Sequence, residues 1–210
     1  MEVKLSTHLR RALRYYYTAK EVVVSSGYEH EIFWQDVVDV DKINTRSFYS
    51  EYAWVVLSSG MRESVIKAKF GALTDIFENW ESPFQISSDK IKYSRKALKV
   101  FNHEKKIQAI IWMANHLTNV QLSDEIERLK REGIEYLCNY PFLGPATSLH
   151  FAKNIGFYVS KPDRHLVRIS DHLGYSSPDV LCKKISAIIG EKESIIDIIL
   201  WRYATINKNY

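Results

Sequence analysis

Two features of the chain could do chemistry together: the turn Tyr140-Pro141-Phe142-Leu143-Gly144-Pro145, and an aspartate further on, Asp163. Pro141 cannot continue a preceding helix because it has no amide hydrogen. Pro145 suits the first turn of the next helix, and Gly144 between them permits unusual dihedrals and close backbone approach. The exposed amides and positive dipole end of a helix opening at Pro145 can face an anion such as a phosphate. Asp163 lies just ahead of HLVRIS, where an aspartate makes a good N-cap and the amide end of the helix favours its charged form. Each half alone is ordinary, a plain corner and a plain cap. The pair puts a carboxylate in a chain that can also grip a phosphate.

The elements that must position these groups read as helices. Apolar residues recur at three- and four-residue spacing in 3–24, 46–59, 62–80, 89–100, 104–118, 123–139, 145–155, 164–174, 177–189 and 192–205. Breaks fall at Ser25-Ser26-Gly27, Ser82-Pro83, Gly133, Pro141 to Pro145, Lys161-Pro162 and Ser177-Pro178. Residues 28–42 fit a loop or a short helix. No internal repeat, low-complexity tract or flexible linker interrupts the pattern. The fold class expected is all-α, with short helices in two lobes around a groove.

A chain of 210 residues, 46% hydrophobic and 26% charged, has globular composition and enough length for a substantial core. No apolar run is long enough to span a bilayer, and the basic start lacks the apolar core of a secretory signal. The expectation is therefore a cytoplasmic protein with no membrane partner. Cys138 and Cys182 cannot supply a four-thiolate cluster, and no His/Cys group has zinc-like spacing. Both cysteines read as small buried hydrophobes, and no metal held by side chains is expected. Charge is uneven. Between Pro83 and Lys106, seven cations (Lys90, Lys92, Arg95, Lys96, Lys99, Lys105, Lys106) face only Asp89 and Glu104. Such a segment suits a polyanionic partner, or is a solvated helix face.

PFLGPATSLHFAKNIGF followed by KPDRHLVRI resembles the helix–hairpin–helix DNA glycosylases. Their pattern runs Leu-Pro-Gly-Val-Gly-x-Lys-Thr-Ala and then Val-Asp-Thr-His-Val-x-Arg, and Pro141, Leu143, Gly144, Thr147, Asp163, His165 and Arg168 fall on it in register. Upstream, WVVLSSGMRESVIKAKF resembles the family's early helix and loop, and DIILWRYA its closing helix. The likeness covers roughly 46–205, with the specific signal in about thirty residues around the hairpin. It implies a single two-lobed all-α domain over 1–210, with a DNA-binding cleft between the lobes. One lobe would be roughly 46–120, the other roughly 121–205 plus the N-terminal helix.

By the same resemblance, Phe142, Leu143, Gly144, Ala146 and Thr147 would hold a backbone phosphate of double-stranded DNA. A potassium or sodium ion on the turn carbonyls often accompanies this, and no other cofactor is required. Phe142 departs from the pattern, standing where the first hairpin glycine belongs. Ala146 departs too, standing where bifunctional members carry a nucleophilic lysine. A Schiff base needs an amine, and Lys153, seven residues along at about 1.5 Å per residue, is too far to supply it. The implied enzyme is monofunctional, a monomer that leaves an abasic site, with Asp163 as the catalytic carboxylate. His165 and Arg168 would touch phosphate or pack structurally.

A base inside duplex DNA must be flipped into a pocket, and aromatic rings suit its walls. Trp34, Tyr49, Tyr52 and Trp54 are the candidates, while Trp112 and Trp201 read as core. The loop Gly60-Met61-Arg62 would supply the wedge (Met61) and a phosphate or orphan-base contact (Arg62), as apolar wedges do elsewhere. Glu29, His30 and Glu31 either read the base or lie on the surface. The excised base would be a lesion under repair or a modified base of foreign DNA, and a bacterial enzyme would associate with the nucleoid. Two other classes fit less of the pattern: a non-catalytic helix–hairpin–helix DNA-binding module, and a helical protein-interaction domain.

Overall fold

The computed structural model describes residues 6–207, whose regular structure is all helical, with no strand among them. The helices are α1 (Thr7–Ser25), α2 (Glu29–Val37), α3 (Thr45–Ser58), α4 (Glu63–Ile76), α5 (Pro83–Ser88), α6 (Lys90–Val100), α7 (Glu104–Asn119), α8 (Leu122–Glu132), α9 (Pro145–Asn154), α10 (Arg164–Leu173), α11 (Pro178–Ile189) and α12 (Glu193–Asn207). None of them is long and apolar enough to cross a membrane.

Most starts are written in the residues that precede them. Ser6, Asn44, Asp89, Asp163 and Ser177 each accept a first-turn amide with the side chain. Three stretches differ from the expected pattern. The run 123–139 splits because Gly133 adopts φ +86°, ending α8, and 134–139 winds on as a 3-10 helix. The run 62–80 stops at Ile76, and Glu78, Asn79 and Trp80 all take positive φ. That corner carries the Trp80 ring onto Phe77 and Phe70, with Nε1 donating to Thr74 Oγ1 at 2.9 Å. The third is α5, an extra short helix beginning at Pro83, where a break alone was expected.

The chain divides into two compact units, one formed by residues up to Val38 and from Gly156 onward, the other by Asp39–Ile155. Residues 121–155, expected in the second lobe, thus group with 39–120. In the first unit the stripe Ala12, Tyr16, Ala19 of α1 packs into a core with Leu166, Ile169 and Leu173 of α10, Leu181 and Ile185 of α11, and Ile196, Ile199 and Leu200 of α12. The alanines, four and three residues from Tyr16, let the neighbouring helices approach closely. In the second unit α3 is the central helix: Phe48, Tyr49, Tyr52, Ala53, Val55, Val56 and Leu57 are all fully buried. Apolar burial around most of its circumference fits a helix packed against α4, α7 and α9.

Candidate functional site

The hairpin lies in the Asp39–Ile155 unit. Tyr140 O accepts Leu143 N at 3.1 Å, closing the turn, and Gly144 begins α9 as its N-cap. Thr147 Oγ1 accepts Gly144 N at 2.7 Å and lies 3.1 Å from Gly144 O and 3.3 Å from Phe142 O. Pro145 has no amide hydrogen, so the first-turn donors left for an anion are the N–H groups of Ala146 and Thr147. Phe142 has φ +68°, the left-handed region that favours glycine and costs other residues energy. This is the position at which the resembling pattern carries glycine. The Phe142 ring is exposed on one side and meets His103 edge-on at 5.9 Å. Leu143 is buried and Ala146 is exposed.

Two residues hold this turn from beneath. Tyr52 OH donates to Pro141 O at 2.7 Å. Tyr140 OH donates to Glu125 Oε1, which also lies 3.4 Å from His116 Nε2, with Arg128 Nη1 3.8 Å from Oε2. Glu125 is fully buried. Burial opposes its ionisation, but the neighbouring His116, the hydrogen bond from Tyr140 and the charge of Arg128 outweigh it and lower its pKa. Lys106, counted in sequence among the cations of a polyanion-binding segment, is buried instead. Its Nζ donates to Leu57 O (2.7 Å) and Ser59 O (2.6 Å), satisfying carbonyls at the end of α3. Burial lowers its pKa.

Asp163 lies in the other unit and caps α10. Its Oδ1 accepts both His165 N (2.9 Å) and Leu166 N (3.0 Å), and Oδ2 has no hydrogen-bond partner among the described residues. The segment leading to it is pinned by Asp197 of α12, which is buried and accepts Lys161 N on Oδ2 at 2.6 Å. Asp163 N then donates to Lys161 O at 2.8 Å. His165, partly buried on the first turn of α10, has its pKa lowered by burial, with Arg164 and Arg168 adding and Asp163 opposing. Arg168 is exposed.

The base-pocket candidates divide. Tyr49 and Tyr52 have no exposed surface, and Tyr49 OH donates to Ile110 O at 3.0 Å. A base cannot stack on a ring already enclosed by the core, so these two are structural, and burial pushes both phenol pKa values up. Trp54 is partly buried, edge-on to Phe70 at 5.2 Å. Trp34 is exposed, on a face of α2 that also bears Phe33 and Val37, 67% and 57% exposed. Lys192 connects α2 to the segment before Asp163: its Nζ donates to Asp36 O and sits 5.2 Å over the exposed ring of Tyr158. Within this unit, exposed aromatic side chains therefore occur both on α2 and on the chain leading to the carboxylate.

Three family-scale comparisons, with family models, with curated proteins and with solved structures, return no match.

Among the described residues no group of three or more His, Cys, Asp or Glu side chains could hold a metal ion. The loop Gly60-Met61-Arg62 is exposed, with Gly60 at φ +69°. Glu29 and His30 are exposed, whereas Glu31 forms a two-pronged ion pair with the buried Arg202. Trp112, expected in the core, is 36% exposed and stacks on His116 at 5.1 Å; Cys138 is exposed as well. Glu51 went unnoticed in sequence. It accepts Asn154 Nδ2 at 2.8 Å on α9, and burial pushes its pKa up to about 7 against that hydrogen bond. The carboxylate at the second position of SEYAW is flanked by Phe48, Tyr49, Tyr52, Ala53 and Trp54 on the same helix, which was the available signal.

Proposed function

We propose that the chain is a monofunctional DNA glycosylase. It would hydrolyse the N-glycosidic bond of a flipped-out damaged or modified base and leave an abasic site. One observation carries this reading. Asp163 spends a single oxygen on both cap bonds, so the carboxylate is fixed in direction while Oδ2 keeps its lone pairs for a substrate. The C1′–N bond breaks with its electron pair leaving on the base, and positive charge develops over C1′ and the ring oxygen. A fixed carboxylate stabilises that charge, as in sugar hydrolysis generally. Water then adds to C1′, and the proton it loses passes by way of the Asp163 carboxylate to the departed base anion, which leaves as the neutral base.

In support, the hairpin offers the Ala146 and Thr147 amides to a backbone phosphate, and its turn carbonyls suit a potassium or sodium ion. Ala146 carries no amine for a Schiff base. Lys153, seven residues along α9, is itself almost wholly buried. Trp34, with the exposed Phe33 and Tyr158, is the aromatic surface offered to a base, and the exposed Met61 is the wedge. The protein would act as a monomer on duplex DNA inside the cell.

The test is incubation with duplexes carrying a panel of lesions and hypermodified bases, with released base identified by mass. Strand breaks should appear only after hot alkali. Asp163→Asn should lower base release by about 100-fold or more with little loss of stability, since asparagine caps a helix about as well. If Asp163→Asn still binds DNA and the wild type releases no base from any duplex, the chain is a non-catalytic DNA-binding module. Breaks before alkali that vanish with Asp163→Asn would refute the monofunctional assignment.

A further inference from the structure

Helix α6 buries Tyr93 and Ala97, and a second face of it lines a groove of about 390 Å³. Lys90, Ile91, Ser94, Arg95 and Leu98 come from α6, and Gln108 comes from α7. Residues 91, 94, 95 and 98 recur at helical spacing, so the groove runs along the helix. Ile91 is 72% exposed, and Phe84 on the adjoining α5 is 69% exposed. Lys92, Arg95, Lys96, Lys99 and Lys105 are also exposed, and none is ion-paired among the described residues. That is unlike lysines elsewhere on the surface. Lys67, Lys130 and Lys183 meet Glu63, Glu127 and Asp179 at 2.7–3.0 Å. Bare apolar side chains and uncompensated positive charge therefore coincide on one short stretch of surface.

We propose that this groove docks an acidic amphipathic helix of a protein partner. Its apolar residues would cover Ile91, Leu98 and Phe84, and its carboxylates would meet the surrounding cations. Helices seated in grooves use apolar anchors at i, i+3, i+4 and i+7; along this groove α6 offers Ile91 and Leu98 for such anchors to cover, with Ser94 and Arg95 between them. The phosphate backbone of a duplex would meet the cations but leave Ile91 and Leu98 uncovered, whereas the apolar face of a helix would bury them as well. A partner here is independent of base excision.

The probe is a fluorescein-labelled peptide of about fourteen residues, four helical turns. It carries leucine at i, i+3, i+4 and i+7 and Glu or Asp elsewhere, and is titrated with the full chain by fluorescence anisotropy. Saturable binding is expected. It should weaken about tenfold or more when the peptide leucines become serine, and again with Ile91→Asp. It should also weaken with salt, because the charges are exposed. Binding of a short DNA duplex should be unchanged by Ile91→Asp. Absence of saturable peptide binding would overturn the proposal, as would equal binding of the serine peptide or Ile91→Asp without effect. If Ile91→Asp weakens duplex binding equally, the groove is a polyanion surface and the partner helix is refuted. Circular dichroism checks folding; Phe84→Ser, at a more than two-thirds exposed site, provides a second variant with the same expected losses.

Discussion

Replacing Phe142 by alanine and by glycine should reverse the ordinary order of these two residues. Both variants lose the same contacts, the edge of His103 at 5.9 Å and the Lys106 ammonium 6.0 Å from the ring centre, so those terms cancel in the comparison. What differs is the backbone. At φ +68° an L-residue is disfavoured by about 1–2 kcal/mol and glycine is not. Against this, glycine loses about 0.5–1 kcal/mol more conformational entropy on folding. The balance favours Phe142→Gly over Phe142→Ala by up to about 1.5 kcal/mol, about 0.75 kcal/mol at the centre of the two ranges, whereas alanine wins by about 1 kcal/mol at ordinary helical positions. For a chain of this size the melting difference is only about 1–4 °C, so urea unfolding midpoints at constant slope are the better assay. An alanine variant as stable as the glycine variant, or more so, would show that the turn does not hold this conformation in solution.

Two further perturbations follow from the buried ionisable groups. The pKa of Glu51 is raised from the usual carboxylate range to about 7, so the folded state binds its proton more tightly than the unfolded state does. Its contribution is complete below about pH 4.5 and is lost as pH rises through about 7, with a slope of at most about 1.4 kcal/mol per pH unit. Glu51→Gln should flatten that slope, so its stability relative to wild type should grow from pH 5 to pH 7.5; a constant difference would refute the assignment. Lys106→Met should destabilise by about 1–3 kcal/mol, because the Leu57 and Ser59 carbonyls lose a charged donor. Denaturant unfolding near pH 7 tests this, and unchanged or higher stability would count against the capping role.

The all-helical character was legible because apolar residues recur at helical spacing through nearly the whole chain. The helix start at Asp163 was legible because an aspartate is a residue that an N-terminus selects. The corner at Glu78–Trp80 was not. Nothing in Glu-Asn-Trp specifies three consecutive positive φ values, which follow from where the Trp80 ring packs. Exposure was the other blind spot. Tyr49 and Tyr52 look like candidate base-stackers by residue type, yet their hydroxyls are spent on backbone carbonyls inside the core. Trp112 and Cys138 look like core residues and reach the surface. Lys106 was indistinguishable from its charged neighbours until the end of α3 was in place above it. The motif residues Gly144, Thr147 and Asp163 announced a turn and two helix starts. The supports beneath them, Tyr52 and Glu125 under the turn and Asp197 under the segment before Asp163, come from other stretches of sequence and reach them only once each unit folds.

The first unit is built from both flanks of the polypeptide, with the whole of Asp39–Ile155 between them. On the ribosome α1 emerges early, but the α11 and α12 surfaces that cover Ala12, Tyr16 and Ala19 follow only after that insert has been translated. At about 5–20 residues per second the wait is on the order of ten seconds. During that interval the insert can complete its own core while the apolar stripe of α1 has no native partner. Nascent chains stalled once Ile155 has cleared the ribosome exit tunnel should therefore protect α3 from protease while leaving α1 open to cleavage.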